Sequence, residues 1–475
     1  MEIQITNNKC KILGDIKVIH KLHKEFNIKN PNAHFIRVRG NVDSTWDGKI
    51  KYITEANYFK TGLLPQIYDY LINTLKVKVK LTDYREEYLT KCRIPKYIGE
   101  NELRGYQKEA IEAIINNKVG DLDFPFGAIN AATNAGKTTI MAGIHEAYRR
   151  KIPSVILLND GDLYDQFKRE LPLLLRDEDI GFIRGKKDNK WGNITVCMVQ
   201  TVSQNIKLFS RQLAKKGIVL VDEADLADNK TYKTVLNACP NAKVRVALSG
   251  TLFLSKLKKD FPKNQNIRSY FGNEVYKITK SEMVGLGHST EVVVSMYRGS
   301  TKPGNKGNFK AEYDRGIMYN EDRAMVCVGR LKHNIKVGRL PALIVCQFHD
   351  HIDLMYKVFN KELGKKYRVE AVHHKTKNRA KLFEEFRLGK IDILISSFIV
   401  KRGKNMPLTR YLLNAAGSDS QETIWQIMGR LERKDKTKKR AYMEDLYDEG
   451  HYLERHSKHR MRYYKESGMR VKVKY

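Results

Sequence analysis

A chain of 475 residues with 41% apolar and 30% charged residues is too long for a single core, and about 150 residues per domain suggests roughly three domains. Its 87 Lys and Arg against 54 Asp and Glu leave a formal net charge of +33, which points to a polyanionic partner and to affinity that falls with salt. Cys10, Cys92, Cys197, Cys239, Cys327 and Cys346 form no C-x-x-C pair, and no stretch approaches the ~20 apolar residues of a membrane span, which argues against zinc, disulfide and membrane classes.

Residues 1–95 are rich in Lys, Tyr and Asn and read as a small basic α+β domain. H-F-I-R-V-R-G-N and W-D-G-K-I-K-Y-I alternate enough to predict two strands around a turn at Trp46-Asp47-Gly48. G-L-L-P-Q-I-Y-D-Y-L-I-N-T-L has helical spacing with Pro65 near its start. Arg37, Arg39, Lys49 and Lys51 beside Trp46 and Tyr52 form either a nucleic-acid-binding face or an ordinary solvated sheet face. No uninterrupted hydrophobic region for secretion opens the chain, and a cytoplasmic setting is expected.

Residues 100–270 read as one nucleotide-binding domain. L-R-G-Y-Q-K-E-A-I-E-A-I-I opens a helix, and the Gln107 amide, which both donates and accepts, suits an adenine edge; the plain alternative is a surface glutamine. In A-A-T-N-A-G-K-T-T, Ala131, Gly136, Lys137 and Thr138 fit the spacing of a phosphate-binding loop, with Ala in place of the usual first Gly. Ala132, Thr133, Asn134, Ala135, Gly136 and Thr139 would wrap a triphosphate at a helix N-terminus, Lys137 would meet the β- and γ-phosphates, and Thr138 would offer its hydroxyl to Mg²⁺. Downstream, P-S-V-I-L-L-N-D, I-T-V-C-M-V-Q-T-V, G-I-V-L-V and K-V-R-V-A-L-S-G-T read as strands of a mostly parallel sheet, with its site at their carboxyl ends. The run G-I-V-L-V leads into Asp222-Glu223-Ala224-Asp225.

Residues 271–335 are assigned as a linker or insertion, in which R-G-S-T-K-P-G-N-K-G-N-F-K is a Gly- and Lys-rich loop, either a nucleic-acid contact or a solvated turn. Residues 336–440 resume the strand and helix alternation as a second α/β domain. His373 and His374 lack further ligands at metal spacing and read as a polar pair at a strand end. Q-E-T-I-W-Q-I-M-G-R-L-E-R predicts a helix carrying Gln426, Gly429, Arg430 and Arg433, with both arginines on one face. Residues 441–475 form a basic C-terminal tail with a helix that either contacts phosphate or is merely solvated.

Phosphoryl transfer to water needs a triphosphate cradle, a carboxylate pair and cations for the transition state. The loop, Asp222 with Glu223, and Arg430 with Arg433 supply all three in this order. Together with V-Q-T-V, L-S-G-T and I-S-S-F-I-V-K-R-G-K-N-M-P they resemble the superfamily 2 helicases and translocases over residues 103–435, and more narrowly the UvsW type of tailed bacteriophages, which remodel branched DNA. W-D-G-K-I-K and G-L-L-P are similar to that subgroup.

The resemblance implies two tandem RecA-like parallel-sheet domains facing one cleft behind a small α+β N-terminal domain. It also implies ATP and Mg²⁺ as cofactors, with Thr138 and Asp222 at the metal. Catalysis would fall to Lys137, Asp222, Glu223, Gln426, Arg430 and Arg433, and coupling to Ser249 and Thr251. DNA contacts are carried onto Arg37, Arg39, Trp46, Lys49, Gln200 and Thr201. Two departures stand out: Asn159-Asp160 replaces the usual Pro after its strand, and Asn405 stands where relatives have Asp. The expected function is an ATP-dependent DNA helicase acting on forked or junction DNA in phage recombination, replication or repair, in the host cytoplasm if phage-encoded, with a monomer favoured. An RNA helicase and a non-enzymatic nucleic-acid-binding protein are the alternatives, and D-E-A-D invites the former.

Overall fold

A computed structural model describes residues 1–38, 46–86, 92–253, 261–299, 308–397, 406–435, 437–467 and 469–474. The chain divides into two compact units, one of Met1–Ala132 and Gly136–Ile278, the other of Thr133–Ala135 and Thr279–Tyr475.

The first unit begins with β1 (Glu2–Ile5), β2 (Lys9–Leu13), α1 (Ile16–Phe26), β3 (Ile28–Lys29), α2 (Ala33–Val38), β4 (Lys49–Ile50), β5 (Tyr58–Lys60), α3 (Leu64–Asp69) and β6 (Lys80–Asp83). Strands β5, β2, β1 and β6 make a four-stranded sheet. Alternation along β1 and β2 turns Ile3, Ile5, Cys10 and Ile12 onto Leu22, Leu64 and Ile67, so one sheet face is buried under α1 and α3. Pro65 sits in the first turn of α3, where its missing N–H costs nothing. The strand expected over H-F-I-R-V-R is instead α2. Asn30 Oδ1 accepts from Asn32 N–H and Asn30 O from Ala33 N–H, a turn that launches a helix, and β4 pairs with β3.

Two short hairpins, β7 (Tyr97–Ile98) with β8 (Asn101–Glu102) and β9 (Lys118–Val119) with β10 (Leu122–Asp123), flank α4 (Gly105–Ile115). The large sheet follows as β11 (Phe126–Ala131), α5 (Lys137–Ala147), β12 (Ser154–Leu158), α6 (Gly161–Leu174), β13 (Ile180–Arg184), β14 (Asp188–Lys190) and β15 (Ile194–Met198). It continues through α7 (Val199–Gln204), α8 (Ile206–Ala214), β16 (Ile218–Asp222), α9 (Lys230–Asn237), β17 (Val244–Ser249), α10 (Phe261–Phe271) and β18 (Glu274–Ile278). The order is β14-β13-β15-β12-β16-β17-β11-β18, parallel except for the β13–β14 edge. Strands β11, β12, β16 and β17 are buried at every position, as befits strands covered by helices on both faces.

The second unit runs α11 (Lys280–Gly285), β19 (Glu291–Arg298), α12 (Phe309–Tyr313), α13 (Glu321–Lys336), β20 (Ala342–Val345), α14 (His349–Leu363), β21 (Val369–Val372) and α15 (Arg379–Arg387). Then come β22 (Ile393–Ser396), β23 (Tyr411–Asn414), α16 (Gln421–Leu431), β24 (Arg440–Tyr447), α17 (Tyr452–Glu466) and β25 (Arg470–Lys474). All seven strands are parallel, in the order β21-β22-β20-β23-β24-β19-β25. Both units are therefore parallel-sheet α/β domains, the tandem RecA-like arrangement expected.

Two stretches are corrected. Residues 271–335, read as a linker or insertion, supply β18 to the first sheet and β19, α12 and α13 to the second unit. Residues 441–475, read as a tail, supply nearly all of β24, all of α17 and the edge strand β25. Arg460 on α17 is wholly buried, its guanidinium bonded to Asp445 at 3.0 Å and to the carbonyl of Leu446 at 2.8 Å. A basic letter there is a satisfied core cation, because its charge is met by a carboxylate on β24. Among the described residues no helix is long and apolar enough to cross a membrane.

Candidate functional site

At the carboxyl edge of the first sheet, β16, β17 and β11 are neighbours; β16 ends in Asp222, β17 in Ser249, and β11 leads into the loop before α5. After β11 the chain turns through Ala132, Thr133, Asn134, Ala135 and Gly136 into α5. Asn134 (φ 70°) and Gly136 (φ 76°) adopt left-handed backbone there. Those angles fold the turn tightly at the N-terminus of α5, whose amides and dipole favour an anion. The left-handed φ of Gly136 disfavours any side chain, and a Cβ there would lie 2.5 Å from Gln107 Nε2, so that amide would have to move.

Gln107 itself is buried, and its Oε1 accepts from the Arg104 N–H at 3.1 Å. The structure thus places it against the loop and at the start of its own helix, rather than on the surface. Thr138 is almost buried on the first turn of α5, and Thr139 follows it.

Lys137 Nζ stands 3.8 Å from Asp222 Oδ1 and 3.9 Å from Glu223 Oε1. Asp222 closes β16 with only 2% exposure, and its Oδ1 accepts from the Glu223 N–H at 2.9 Å. Burial pushes the Asp222 carboxyl up, to about 6, against the opposing pull of Lys137. Glu223 stays partly open to solvent and holds a left-handed backbone (φ 51°), which swings its carboxylate out of the strand direction. One buried and one accessible carboxylate thus share a lysine, an arrangement able to hold a cation and accept a proton from water.

Ser249 ends β17 and is fully buried. Its Oγ donates to Asp225 Oδ1 at 3.0 Å, lies 3.1 Å from Thr251 Oγ1, and receives the Thr251 N–H at 3.2 Å. Asp225 is the residue that sequence reasoning left without a role. Its signal was available as the last letter of D-E-A-D.

V-Q-T-V does not extend β15; it forms the start of α7. Gln200 is exposed with its Nε2 on the carbonyl of Asn159 at 3.1 Å, and Thr201 Oγ1 accepts from Gly185 N–H at 3.0 Å. Both therefore tie together the turns after β12 and β13 at the same edge of the sheet.

In the N-terminal part, the Arg37 guanidinium donates to the Trp46 carbonyl at 3.0 Å, and Trp46 Nε1 donates to the Lys49 carbonyl at 3.0 Å. Lys51 pairs with Glu55 at 2.9 Å. Tyr52 does not share that surface: it is buried, and its hydroxyl donates to the Pro262 carbonyl at 3.1 Å. Arg39 lies outside the described residues, as does Asn405 with most of its motif and residues 300–307 of the Gly- and Lys-rich loop.

In the second unit, Ser420 caps α16, which carries half-buried Gln426 and buried Arg430. Arg433, expected on that helix from its spacing, lies beyond it, because α16 ends at Leu431. Lys438 Nζ takes the Leu431 carbonyl at 3.0 Å, and Thr290 N–H takes that of Glu432 at 2.8 Å, so tertiary donors end the helix before Arg433. Buried Glu432 pairs with Lys280 at 2.7 Å. His373 and His374 do stand at a strand end, just beyond β21. Among the described residues no group of three or more His, Cys, Asp or Glu is arranged to hold a metal.

Comparison with known proteins agrees with this geometry. Residues 100–254 match the family described as type III restriction enzyme, res subunit, and residues 329–435 match the helicase conserved C-terminal domain. The chain is 23% identical over 440 residues to the ATP-dependent DNA helicase uvsW of Enterobacteria phage T4, an alignment covering 85% of this chain and 82% of that protein. Its fold is similar to a fragment of a putative HsdR subunit of a type I restriction enzyme from Vibrio vulnificus YJ016, with TM-score 0.56, 17% identity and coverage of 86% and 73%. It is also similar to S. cerevisiae Dbp5 bound to RNA and ADP BeF3, with TM-score 0.55, 15% identity and coverage of 79% and 90%. Two parallel-sheet domains matched in this order along one chain place the protein in the superfamily 2 helicases, ATP-dependent enzymes that unwind nucleic acid.

Proposed function

We propose that the chain is an ATP-dependent DNA helicase or translocase that unwinds and branch-migrates forked or junction DNA in phage recombination, replication or repair. The observation that carries this reading is the grouping of Lys137, Asp222 and Glu223 at one edge of the first sheet, within 3.9 Å. Lys137 meets the β- and γ-phosphates, Glu223 accepts the proton of the attacking water, and Gln107 reads the adenine. Gln426, Arg430 and Arg433 meet the charge that develops on the transferred phosphoryl group. Ser249 and Thr251 couple hydrolysis to movement.

Mg²⁺ fits the residues present. The Thr138 hydroxyl and the buried Asp222 carboxylate are hard oxygen donors, and such an ion takes only one or two protein ligands beside phosphates and water. When bound, the ion neutralises charge on the phosphate oxygens.

DNA is favoured over RNA by the likeness to a phage helicase named for DNA, while the basic N-terminal part, where Arg37, Trp46 and Lys49 are joined by hydrogen bonds, suits a phosphate backbone of either kind. Gln200 and Thr201 are assigned to the DNA backbone. Two measurements test the reading. Glu223→Gln should bind ATP but hydrolyse it at least ~100-fold more slowly, the scale of a lost general base. Forked DNA should stimulate hydrolysis more than RNA does; stronger stimulation by RNA overturns the choice of substrate.

A further inference from the structure

At the carboxyl edge of the second sheet an aromatic band lies open on one side. Phe348 and Phe309 are 45% and 40% exposed, and both pack on Tyr313, at 5.5 Å edge-on and 5.8 Å. Tyr313 is itself buried, and its hydroxyl donates to the carbonyl of Ala416 just past β23. Phe309 also meets the rings of Tyr452 and His456 at 5.9 and 5.2 Å. The two phenyl rings thus rest on a rigid, hydrogen-bonded base, which leaves them little freedom to turn away from water.

Cations stand exposed at the margin of the band. Lys310 and Arg455 are exposed beside it, Arg455 lying 5.4 Å over the Tyr452 ring. Most carboxylates nearby are engaged: Glu312 is buried and accepts the N–H groups of Tyr452 and Leu453, Asp350 accepts the Tyr319 hydroxyl, Asp419 faces His456 and His459, and Glu454 pairs with Lys458, while Asp314 beside Tyr313 is half-buried. Open aromatic faces framed by cations match the unpaired bases and phosphates of a single strand, since every base has a stackable face. A duplex hides those faces.

We propose that Phe309 and Phe348 form a stacking platform for unpaired bases of the nucleic-acid strand on which the enzyme acts. The proposal rests on the reading of the chain as a nucleic-acid motor, and names the surface that distinguishes separated from paired strands. Neither ring belongs to the nucleotide machinery assigned above.

The test uses the full chain and fluorescence anisotropy with a labelled oligothymidylate, the same strand with abasic sites, and a blunt duplex. The wild type should bind the base-bearing strand several-fold more tightly than the abasic one. Phe309→Ala and Phe348→Ala should each weaken single-strand binding by roughly tenfold. Phe348→Leu should lose as much, Phe348→Tyr little, and duplex binding and hydrolysis without nucleic acid should not change. Equal wild-type affinity for the base-bearing and abasic strands overturns the platform without needing any variant. Full retention by Phe348→Leu also overturns it, since apolar packing alone would then suffice. A wild type that binds no nucleic acid, by contrast, defeats the motor reading itself.

Discussion

Ser249 Oγ donates to Asp225 Oδ1 at 3.0 Å, which ties the end of β17 to the turn carrying Asp222 and Glu223. Because β17 lies between β16 and β11, this bond joins the carboxylate turn to the strand beside the phosphate loop. Both residues are buried, so neither can exchange its partner for water.

Ser249→Ala therefore removes a link between two parts of the site while leaving Lys137 and Glu223 in place. Hydrolysis should stay within a few-fold of wild type, whereas unwinding should fall by roughly tenfold or more, a coupling loss of the usual 1–3 kcal/mol size. Parallel ATPase and strand-displacement rates decide it. A proportional fall in both would remove Ser249 from coupling.

Gly136→Ala tests the loop. Its left-handed φ disfavours any side chain, and the added Cβ would meet Gln107 Nε2 at 2.5 Å. ATP affinity measured by calorimetry should drop by roughly tenfold or more, the equivalent of about 1.4 kcal/mol. Adding Gln107→Ala relieves the contact but keeps the backbone strain and removes the group assigned to the adenine, so the double variant should bind ATP no better than Gly136→Ala. Wild-type affinity in Gly136→Ala would mean that the loop does not hold the phosphates.

The stretches legible from sequence are those whose local pattern and tertiary setting agree. β11, β12, β16 and β17 are short apolar runs because helices cover both their faces, and that burial leaves no other reading. Asp222 and Glu223 could be placed because they stand at the end of such a strand, and Lys137 because it opens the helix after the loop that follows another. Ala33–Val38 misled because six residues of mixed pattern fit a strand as well as a helix of under two turns. Arg433 misled because donors far along the chain, Lys438 and Thr290, end α16. The alternation in E-V-V-V-S-M-Y-R, buried at every second residue, was a usable signal for β19.

Acid should weaken the helix that carries Lys137 and Thr138. His145 on α5 is fully buried with its Nδ1 2.7 Å from Ser154 Oγ, and burial pushes its pKa down to about 4. An unfolded histidine titrates near 6.5, so between those values the unfolded chain binds a proton that the folded chain refuses. The stability this group contributes is fully present above pH 6.5 and is lost as pH falls toward 4, about 3 kcal/mol in all. Denaturant titrations from pH 7 to 4 should show the slope, and His145→Gln should flatten it. An unchanged slope in that variant assigns the acid sensitivity elsewhere.

Lys280 and Glu432 form an ion pair of 2.7 Å in which the carboxylate is 1% exposed and the lysine 10%, next to the end of α16. Lys280 also lies 5.6 Å over the Trp425 ring, so its charge is held on two sides. Lys280→Met strands a buried anion, which costs about 3–5 kcal/mol where both groups are dry. That anion sits one residue before Arg433, and the backbone there should shift to bring it toward water. The expected outcome is a lower melting temperature with slower ATP hydrolysis, and the double variant Lys280→Met/Glu432→Gln should regain much of the stability. Calorimetry on all three variants separates the effects: if Glu432→Gln alone destabilises as much as Lys280→Met and the double variant recovers nothing, the pair is not what holds this turn.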